Sequence, residues 1–145
     1  MLSPQGSIGR IWLVHKSNVY RALPRLESLG LMRTVGAEPA TAGPIRSLYE
    51  VTAAGRTAAR QWLHQPVKHG RDVRSELLLK LALLDRAGAD PTELLSAQLA
   101  EFRPIAAALE DQAWATSGFE RALILWRRNQ IEATMRFLQG ELTAR

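Results

Sequence analysis

The apolar side chains of residues 17–30 recur at helical spacing and predict an amphipathic helix with one face turned towards a core. Ser17 stands where an N-cap is expected, and Gly30 stands where a left-handed residue ends a helix. Pro24 lies inside this helix on its polar side, so we expect it to bend the helix without expelling the apolar face. That face consists of Val19, Leu23, Leu26 and Leu29.

The segments on either side of this helix predict a small β-hairpin and a preceding helical turn. Residues 8–12 make a short apolar turn of helix, and residues 31–37 have the composition of a strand. Residues 47–52 alternate apolar and polar side chains as a half-buried strand does, and the proline- and glycine-containing segment 38–46 is expected to be a loop. This order of elements predicts a helix-turn-helix followed by a β-hairpin wing.

Helical patterns dominate the rest of the chain after a short hinge at 65–70, where the composition changes. Thr52, Asp90 and Ser117 stand at the positions of helix N-caps. We expect Pro104 to kink or end the helix that contains it. The predicted helices cover 52–64, 73–88, a segment that begins at 90, and 117–142.

The last predicted helix carries two apolar stripes that together cover roughly half of its circumference, at ~100° of rotation per residue. A helix that faces only its own core needs a stripe of ~100°. Both stripes could pack within one chain, but few other helices remain to cover them, so we expect a homodimer and assign its contact to the second stripe. The first stripe contains Phe119, Ala122, Leu123, Trp126, Ala133 and Phe137, and the second contains Ile124, Ile131, Met135, Leu138 and Leu142.

The fold class predicted from these elements is mainly α with a small β-hairpin wing. A winged helix-turn-helix domain is expected over residues 1–66, and a helical dimerisation domain over residues 67–145. Charge supports the same division, because residues 1–70 hold nine basic and three acidic side chains, whereas the remainder holds ten basic and eleven acidic ones. A net charge of +6 on one half and −1 on the other gives the total of +5 and indicates a polyanion-binding unit joined to a neutral one.

Several classes of function find no support in the sequence. The chain has no cysteine, which excludes disulfides and thiolate chemistry. The longest apolar stretch, 77–84, is too short to span a bilayer, and no signal peptide precedes the first helix, so we expect a cytoplasmic protein without a membrane partner. His64 and His69 lie near Asp72 without further ligands, and no triad or phosphate-binding loop is present. We therefore expect no enzyme, no metal and no cofactor.

Polar residues on the first long helix are the candidate DNA contacts. Asn18, Arg21 and Arg25 can read base edges, whereas Lys16 and Ser17 are expected to hold phosphate. Arg33 and Arg46 flank the wing and could reach a groove or a phosphate, although any single arginine could equally be a solvated charge. A pocket for an effector could be lined by four aromatic residues that could also be core: Phe102, Trp114, Trp126 and Phe137.

These residues also carry a resemblance to the PadR family of bacterial transcriptional regulators, over about residues 8–110. The matching segments in the first half are Val19-Tyr20-Arg21-Ala22-Leu23, Leu26-Glu27, Gly30-Leu31 and Tyr49-Glu50-Val51-Thr52 with Gly55. Those in the second half are Trp62-Leu63, Pro66-Val67, Arg71-Asp72-Val73-Arg74 and Glu76-Leu77-Leu78-Leu79-Lys80-Leu81.

The resemblance implies a homodimeric repressor that binds double-stranded DNA and is released by a small aromatic or hydrophobic effector. It also implies that Tyr20 contacts the DNA backbone, the alternative being a core tyrosine. Similar sequences place two helices before the recognition helix, whereas sixteen residues precede Ser17, so we expect the usual first helix to be missing. The alternative function is a helical protein-interaction or ligand-binding module whose incomplete winged helix does not bind DNA.

Overall fold

The computed structural model of the chain describes Ile11, residues 15–38 and residues 46–144. The predicted fold class is confirmed: the described residues are mainly helical, with one two-stranded antiparallel hairpin after the first long helix. The helices are α1 (Lys16–Ser28), α2 (Ala53–His64), α3 (Leu78–Arg86), α4 (Thr92–Trp114) and α5 (Gly118–Thr143), and the strands are β1 (Met32–Glu38) and β2 (Arg46–Val51). A 3-10 turn at Gly70–Asp72 and a π-helical turn at Val73–Leu77 lead into α3.

The described residues fall into two compact units. The first lies within Leu13–Trp62 and the second extends from Leu63 towards the C-terminus. Apart from Ile11, the short helix expected at 8–12 lies outside the described residues, as does most of the loop expected at 38–46. Each unit is built around its own contacts.

The ends of α1 agree only in part with the sequence prediction. The helix begins at Lys16, and His15 takes the N-cap position without a side-chain hydrogen bond, so the prediction that Ser17 caps the helix is wrong. Ser17 instead lies in the first turn. The C-terminal end is as predicted: Gly30 has a φ of +68°, and its N–H donates to the Glu27 carbonyl at 2.8 Å. The Leu31 N–H reaches back to the Leu26 carbonyl at 2.9 Å and completes the cap.

The wing is a hairpin whose strands begin and end within one residue of the predicted ones. Its register pairs Met32 with Val51 at one end and Glu38 with Arg46 at the other. A bulge between Thr34 and Gly36 interrupts the pairing. Such a bulge increases the local twist of a strand, so the outer part of the wing turns away from the line of its base.

Thr52 joins the end of α1 to the start of α2. Its hydroxyl donates to the Gly30 carbonyl at 2.6 Å and accepts from the Gly55 N–H at 3.0 Å, which confirms Thr52 as the predicted N-cap of α2. Its backbone N–H donates to the Leu31 carbonyl at 3.1 Å. A side chain at position 55 would place its Cβ 2.0 Å from the Leu31 carbonyl oxygen, so only glycine fits there. This joint fixes the C-terminal end of α1.

The second unit packs α4 against α5 around a core of aliphatic side chains and one phenylalanine. Helix α4 begins at Thr92 with Pro91 at the N-cap position, so the prediction of Asp90 as the N-cap is wrong by one residue, although the Asp90 carboxylate accepts from the Thr92 N–H at 3.0 Å. Ser117 is the N-cap residue of α5 as predicted, without a side-chain cap bond. Pro104 does not end its helix, because α4 continues to Trp114. The proline side chain is exposed.

Two buried polar side chains anchor the predicted hinge at 65–70. Gln98 is fully buried, and its amide bonds both backbone groups of Val67, at 2.7 Å to the N–H and 2.8 Å to the carbonyl. Lys80 is 1% exposed, donates to the Gln65 carbonyl at 2.8 Å and pairs with Glu76 at 2.7 Å. The segment is therefore irregular but firmly held to α3 and α4.

The stripe of α5 that was assigned to the dimer contact lies in the core of its own unit. Ile124, Ile131 and Leu138 are only 7%, 3% and 0% exposed, and Met135 and Leu142 pack partly buried against the same core. The assignment of the contact to these five residues is therefore corrected, because their surface is already covered within one chain. The first stripe is the exposed one: Phe119 is 83%, Leu123 44%, Trp126 58% and Phe137 41% exposed.

Candidate nucleic-acid interface

The polar face of α1 presents a row of exposed side chains at intervals of one helical turn. Ser17, Arg21 and Arg25 follow each other at four-residue spacing, and all three are exposed. Asn18 borders the same row and is exposed as well. Neither guanidinium group forms an ion pair with another residue that the structure describes. Both are therefore available to an anionic partner.

Lys16 and Tyr20 lie on the edge of α1 beside that row. At ~100° per residue, Lys16 is separated from Asn18 by roughly 160°, so the six predicted contacts on α1 span more than half of the helix and do not form a single face. Tyr20 is 70% exposed, so the alternative of a core tyrosine is wrong. Lys16 and Tyr20 therefore face a different side of α1 from Arg21 and Arg25.

The two arginines of the wing differ in their surroundings. Arg33 donates to the Glu50 carboxylate from Nε at 3.0 Å and from Nη2 at 2.6 Å, across the strand pair. Its charge is already neutralised, so it is the weakest member of the predicted set. Arg46 begins β2 opposite Glu38 and is exposed, about 13 Å along β2 from Glu50, the cross-strand partner of Arg33, at ~3.3 Å per residue. The structure therefore does not bring these two side chains together.

Glu27 is a positioning residue that the sequence prediction did not assign. Its carboxylate oxygen Oε1 accepts from the Thr34 hydroxyl at 2.7 Å and from the Thr34 N–H at 2.8 Å. These two hydrogen bonds, the side-chain one first, hold the pKa of Glu27 below its usual value of 4.5. The sequence did offer a signal, because a carboxylate in the last turn of a helix opposes the helix dipole and needs a partner. Here the partner ties α1 to β1.

Arg56 is the second residue to which the sequence prediction gave no role, and its side chain is basic. It lies in the first turn of α2, where its Nη1 donates to the Val51 carbonyl at 2.8 Å. The side chain is exposed and lines a shallow cavity at the base of the wing, together with Arg33 and Thr52. It adds positive charge to the first unit beside the hairpin.

The four aromatic residues proposed to line one effector pocket do not converge. Phe102 is fully buried in the core, whereas Trp114 is 77% exposed and donates to the Glu110 carboxylate at 3.1 Å. Trp126 lines a cavity of about 720 Å³, and Phe137 lines a different one of about 620 Å³. The prediction of a single pocket formed by these four residues is therefore corrected: two cavities each take one aromatic side chain.

No group of three or more histidine, aspartate or glutamate side chains that could hold a metal ion occurs among residues 15–38 and 46–144. Within the same ranges, no helix is long and apolar enough to cross a membrane.

A helix with an exposed basic row, closed by a hairpin wing, defines the first unit as a winged-helix module of the kind that binds duplex DNA. Residues 5–61 match the family model described as the transcriptional regulator PadR-like family. The resemblance noted in the sequence is thereby confirmed.

Other comparisons give a more distant picture. Among solved structures, the chain is similar to Bacillus subtilis PadR, determined in complex with operator DNA, with 18% identity and a TM-score of 0.42. That alignment covers 97% of this chain and 85% of the other. Comparison with curated proteins gives no match.

Proposed function

We propose that the chain is a DNA-binding transcriptional regulator that acts as an effector-responsive repressor and works as a homodimer. The observation that carries this proposal is the exposed row of Ser17, Arg21 and Arg25 within a PadR-like domain. Positive side chains without internal partners release condensed counterions when they meet phosphates, which favours binding to any duplex. The choice among sequences then depends on the contacts made to base edges.

Different residues of the set are proposed to serve these two purposes. Arg21 lies in the second turn of α1, before Pro24, in the part of a recognition helix that contacts bases. Asn18 and Arg21 have side chains that can pair with adenine and guanine edges. Lys16 and Tyr20, on the edge of the helix, hold the phosphate backbone, and Arg46 on the wing adds a contact to a neighbouring phosphate.

The homodimer is proposed to form through the exposed apolar stripe of α5, defined here as Phe119, Leu123, Trp126 and Phe137. This stripe lies about 140° around the helix from the buried one, at ~100° per residue. Contiguous exposed apolar side chains of this size mark interaction surfaces in soluble proteins. A second copy is the proposed partner because a two-fold related pair presents two recognition helices to two half-sites.

A second candidate function rests on the packing of α1. No residue of this helix is buried, and Val19 on its apolar side is 42% exposed. A recognition helix with an incompletely covered apolar face would suit a helical protein-interaction or ligand-binding module that does not read DNA. Duplex binding decides between the two functions.

The test is a salt titration of binding to a duplex that the protein selects from a random library, and to a scrambled duplex. The slope of log K against log salt should be about −0.9 for each phosphate contacted. Lys16→Ala should weaken binding to both duplexes alike and flatten the slope by about one contact. Arg21→Ala should instead lower the preference for the selected duplex by about 1–3 kcal/mol.

Arg103→Ala is the matched control, because it removes one exposed arginine from α4 in the second unit. It should leave both affinities and the slope unchanged. Absence of duplex binding by the unmodified chain at low salt would rule out the regulator and leave the interaction module. Equal losses from Arg21→Ala and Arg103→Ala would show that only total charge matters.

A further inference from the structure

A cavity of about 720 Å³ opens in the second unit, between the segment that follows α2 and the facing sides of α4 and α5. Cavities that hold small molecules have volumes of roughly 300–1,000 Å³. Leu109 and Ile131 form its floor and are 5% and 3% exposed, and half-buried Ile105 adds to it. At Gly70 the segment approaches α5 so closely that a Cβ would lie 2.9 Å from Ile131 Cδ1.

The rim of this cavity is basic. Four of the ten lining residues carry a basic side chain, and none of the ten is acidic. Lys68 and Arg127 form no ion pair with any residue in the described ranges. Arg71 has one long contact, 3.9 Å from its Nε to Asp72 Oδ1, and its side chain is 80% exposed. The basic side chains on the rim are Lys68, His69, Arg71 and Arg127.

The apolar wall is mainly aliphatic, with Trp126 on one side. Its indole is 58% exposed, and Gln130 one turn further along α5 adds a neutral polar group. A site with an aliphatic floor and an unneutralised cationic rim is complementary to a molecule with an apolar body and an anionic head. Either part of that molecule alone would leave half of the site unmatched.

We propose that this cavity binds a small amphiphilic oxyanion. Its carboxylate or phosphate head lies against Lys68 and Arg127, and its aliphatic chain lies along Leu109, Ile131 and Trp126. As an assignment of the effector, this rests on the proposed function of the chain. Ligand binding by the isolated protein is independent of it, so the two can fail separately.

Binding is measured with four probes that share one eight-carbon chain: octanoate, octyl phosphate, octanol and octylammonium. We expect octanoate and octyl phosphate to bind and to change the fluorescence of Trp126. The neutral and cationic probes should bind more weakly, by up to about fivefold for each charge pair lost, since one exposed pair is worth up to ~1 kcal/mol. A stronger response to octyl phosphate than to octanoate would assign a phosphate head, and the reverse a carboxylate. Trp126→Phe should remove the fluorescence change.

Two matched variants locate the head group on α5. Arg127→Gln should lower the affinity for octanoate by about threefold, and more at low salt, whereas Arg136→Gln removes the same charge from an exposed position outside the cavity lining and should change nothing. Equal affinity of the unmodified protein for octanoate and octylammonium would overturn the proposal whether or not the variants fold. So would a fluorescence change that persists in Trp126→Phe.

DNA is added last. If the anion is the effector, octanoate should lower the affinity for the selected duplex and leave Arg127→Gln less responsive. Binding of octanoate without any effect on DNA would keep the site and remove its role as the effector site. If the unmodified protein binds octanoate but does not bind duplex DNA even in the absence of octanoate, the proposed regulator function is refuted and the proposed ligand site stands.

Discussion

Single residues at the end of α1 set the direction in which its basic row faces. Thr52 bonds the carbonyl of Gly30, Gly55 makes room for the carbonyl of Leu31, and Glu27 bonds Thr34 on the neighbouring strand. None of the three belongs to the set of residues proposed to contact DNA. Each one restricts how α1 can turn against the wing, so their effects should appear first in stability.

Glu27→Gln should destabilise the first unit at neutral pH, because an amide oxygen accepts the two Thr34 hydrogen bonds less strongly than a carboxylate. The folded-state pKa of Glu27 is depressed, so its contribution is fully present above the unfolded value of 4.5 and is lost as pH falls through the folded value. The stability difference between the two proteins should therefore be constant near pH ~7 and shrink towards pH ~3.

Urea unfolding across this pH range measures the difference, with Glu38→Gln as the control. Glu38 is exposed at the end of β1 and has no ion pair with another described residue. That variant should follow the unmodified protein at every pH. A gap between Glu27→Gln and the unmodified protein that widened in acid would contradict the assigned role of Glu27.

Among the elements, those set by local patterns were predictable from the sequence, and those set by tertiary contacts were not. The residue types of Gly30 and Thr52 were enough to predict the end of α1 and the start of α2, and the structure has both boundaries there. Ser17 offers the same chemistry, but the N-cap of the helix is His15, two residues earlier. The two stripes of α5 have the same apolar pattern, and only the packing of α4 decides which of them is buried.

The residues of the candidate site were likewise predictable only where a local pattern decides their position. Helical periodicity was enough to place Asn18, Arg21 and Arg25 on the polar side of the helix. It could not show that Arg33 is paired with Glu50, because that contact depends on the register of the hairpin. The aromatic residues could not be sorted from sequence either, since each apolar ring is equally suited to a core, a cavity or a surface.

Pro24 in α1 gives the prediction at the level of the element. A proline inside a helix removes the hydrogen bond to the carbonyl four residues earlier, here that of Tyr20. Pro24 is exposed, so Pro24→Ala introduces no clash and should stabilise the first unit by about 1–3 kcal/mol. Chemical unfolding followed by circular dichroism measures the change.

Pro104→Ala is the companion variant, since that proline is exposed within α4 in the second unit. It should stabilise the protein without changing its affinity for duplex DNA. A loss of stability in Pro24→Ala would mean that the packing of Leu23 and Leu26 depends on the proline.

Along the sequence, net charge is distributed unevenly. The first seventy residues carry the positive excess, and the exposed apolar stripe lies on α5 in the other unit. The surface proposed to meet DNA belongs to the first unit, and the surface proposed to meet a second copy belongs to the second. Substitutions in one should leave the other intact.

Phe119→Asp together with Leu123→Asp should convert a homodimer to monomers without lowering the stability of the subunit, because both side chains are exposed. Sedimentation velocity measures the assembly, and thermal unfolding of the monomer measures the fold. Ile131→Asp is the contrasting variant on the buried stripe. It should cost more than about 3 kcal/mol of stability, since it places a charge in the core.

A dimer that resists the double substitution would show that the exposed stripe is not its interface. A stable, monomeric Ile131→Asp protein would return the contact to the stripe that the structure places in the core. The two outcomes are separate because the two sets of residues lie on different sides of α5.

The three lysines of the chain occupy three different chemical environments. Lys16 is exposed on α1, Lys68 is exposed at the rim of the cavity, and Lys80 is 1% exposed beneath the segment that it anchors. An amine-acylating reagent attacks only an accessible, uncharged amine, so the acylation rates of these three positions in one digest report on three separate surfaces. The acylation rate of each lysine-containing peptide therefore reports on one event. Lys16 reports DNA binding to α1, Lys68 reports ligand binding in the cavity, and Lys80 reports opening of the core.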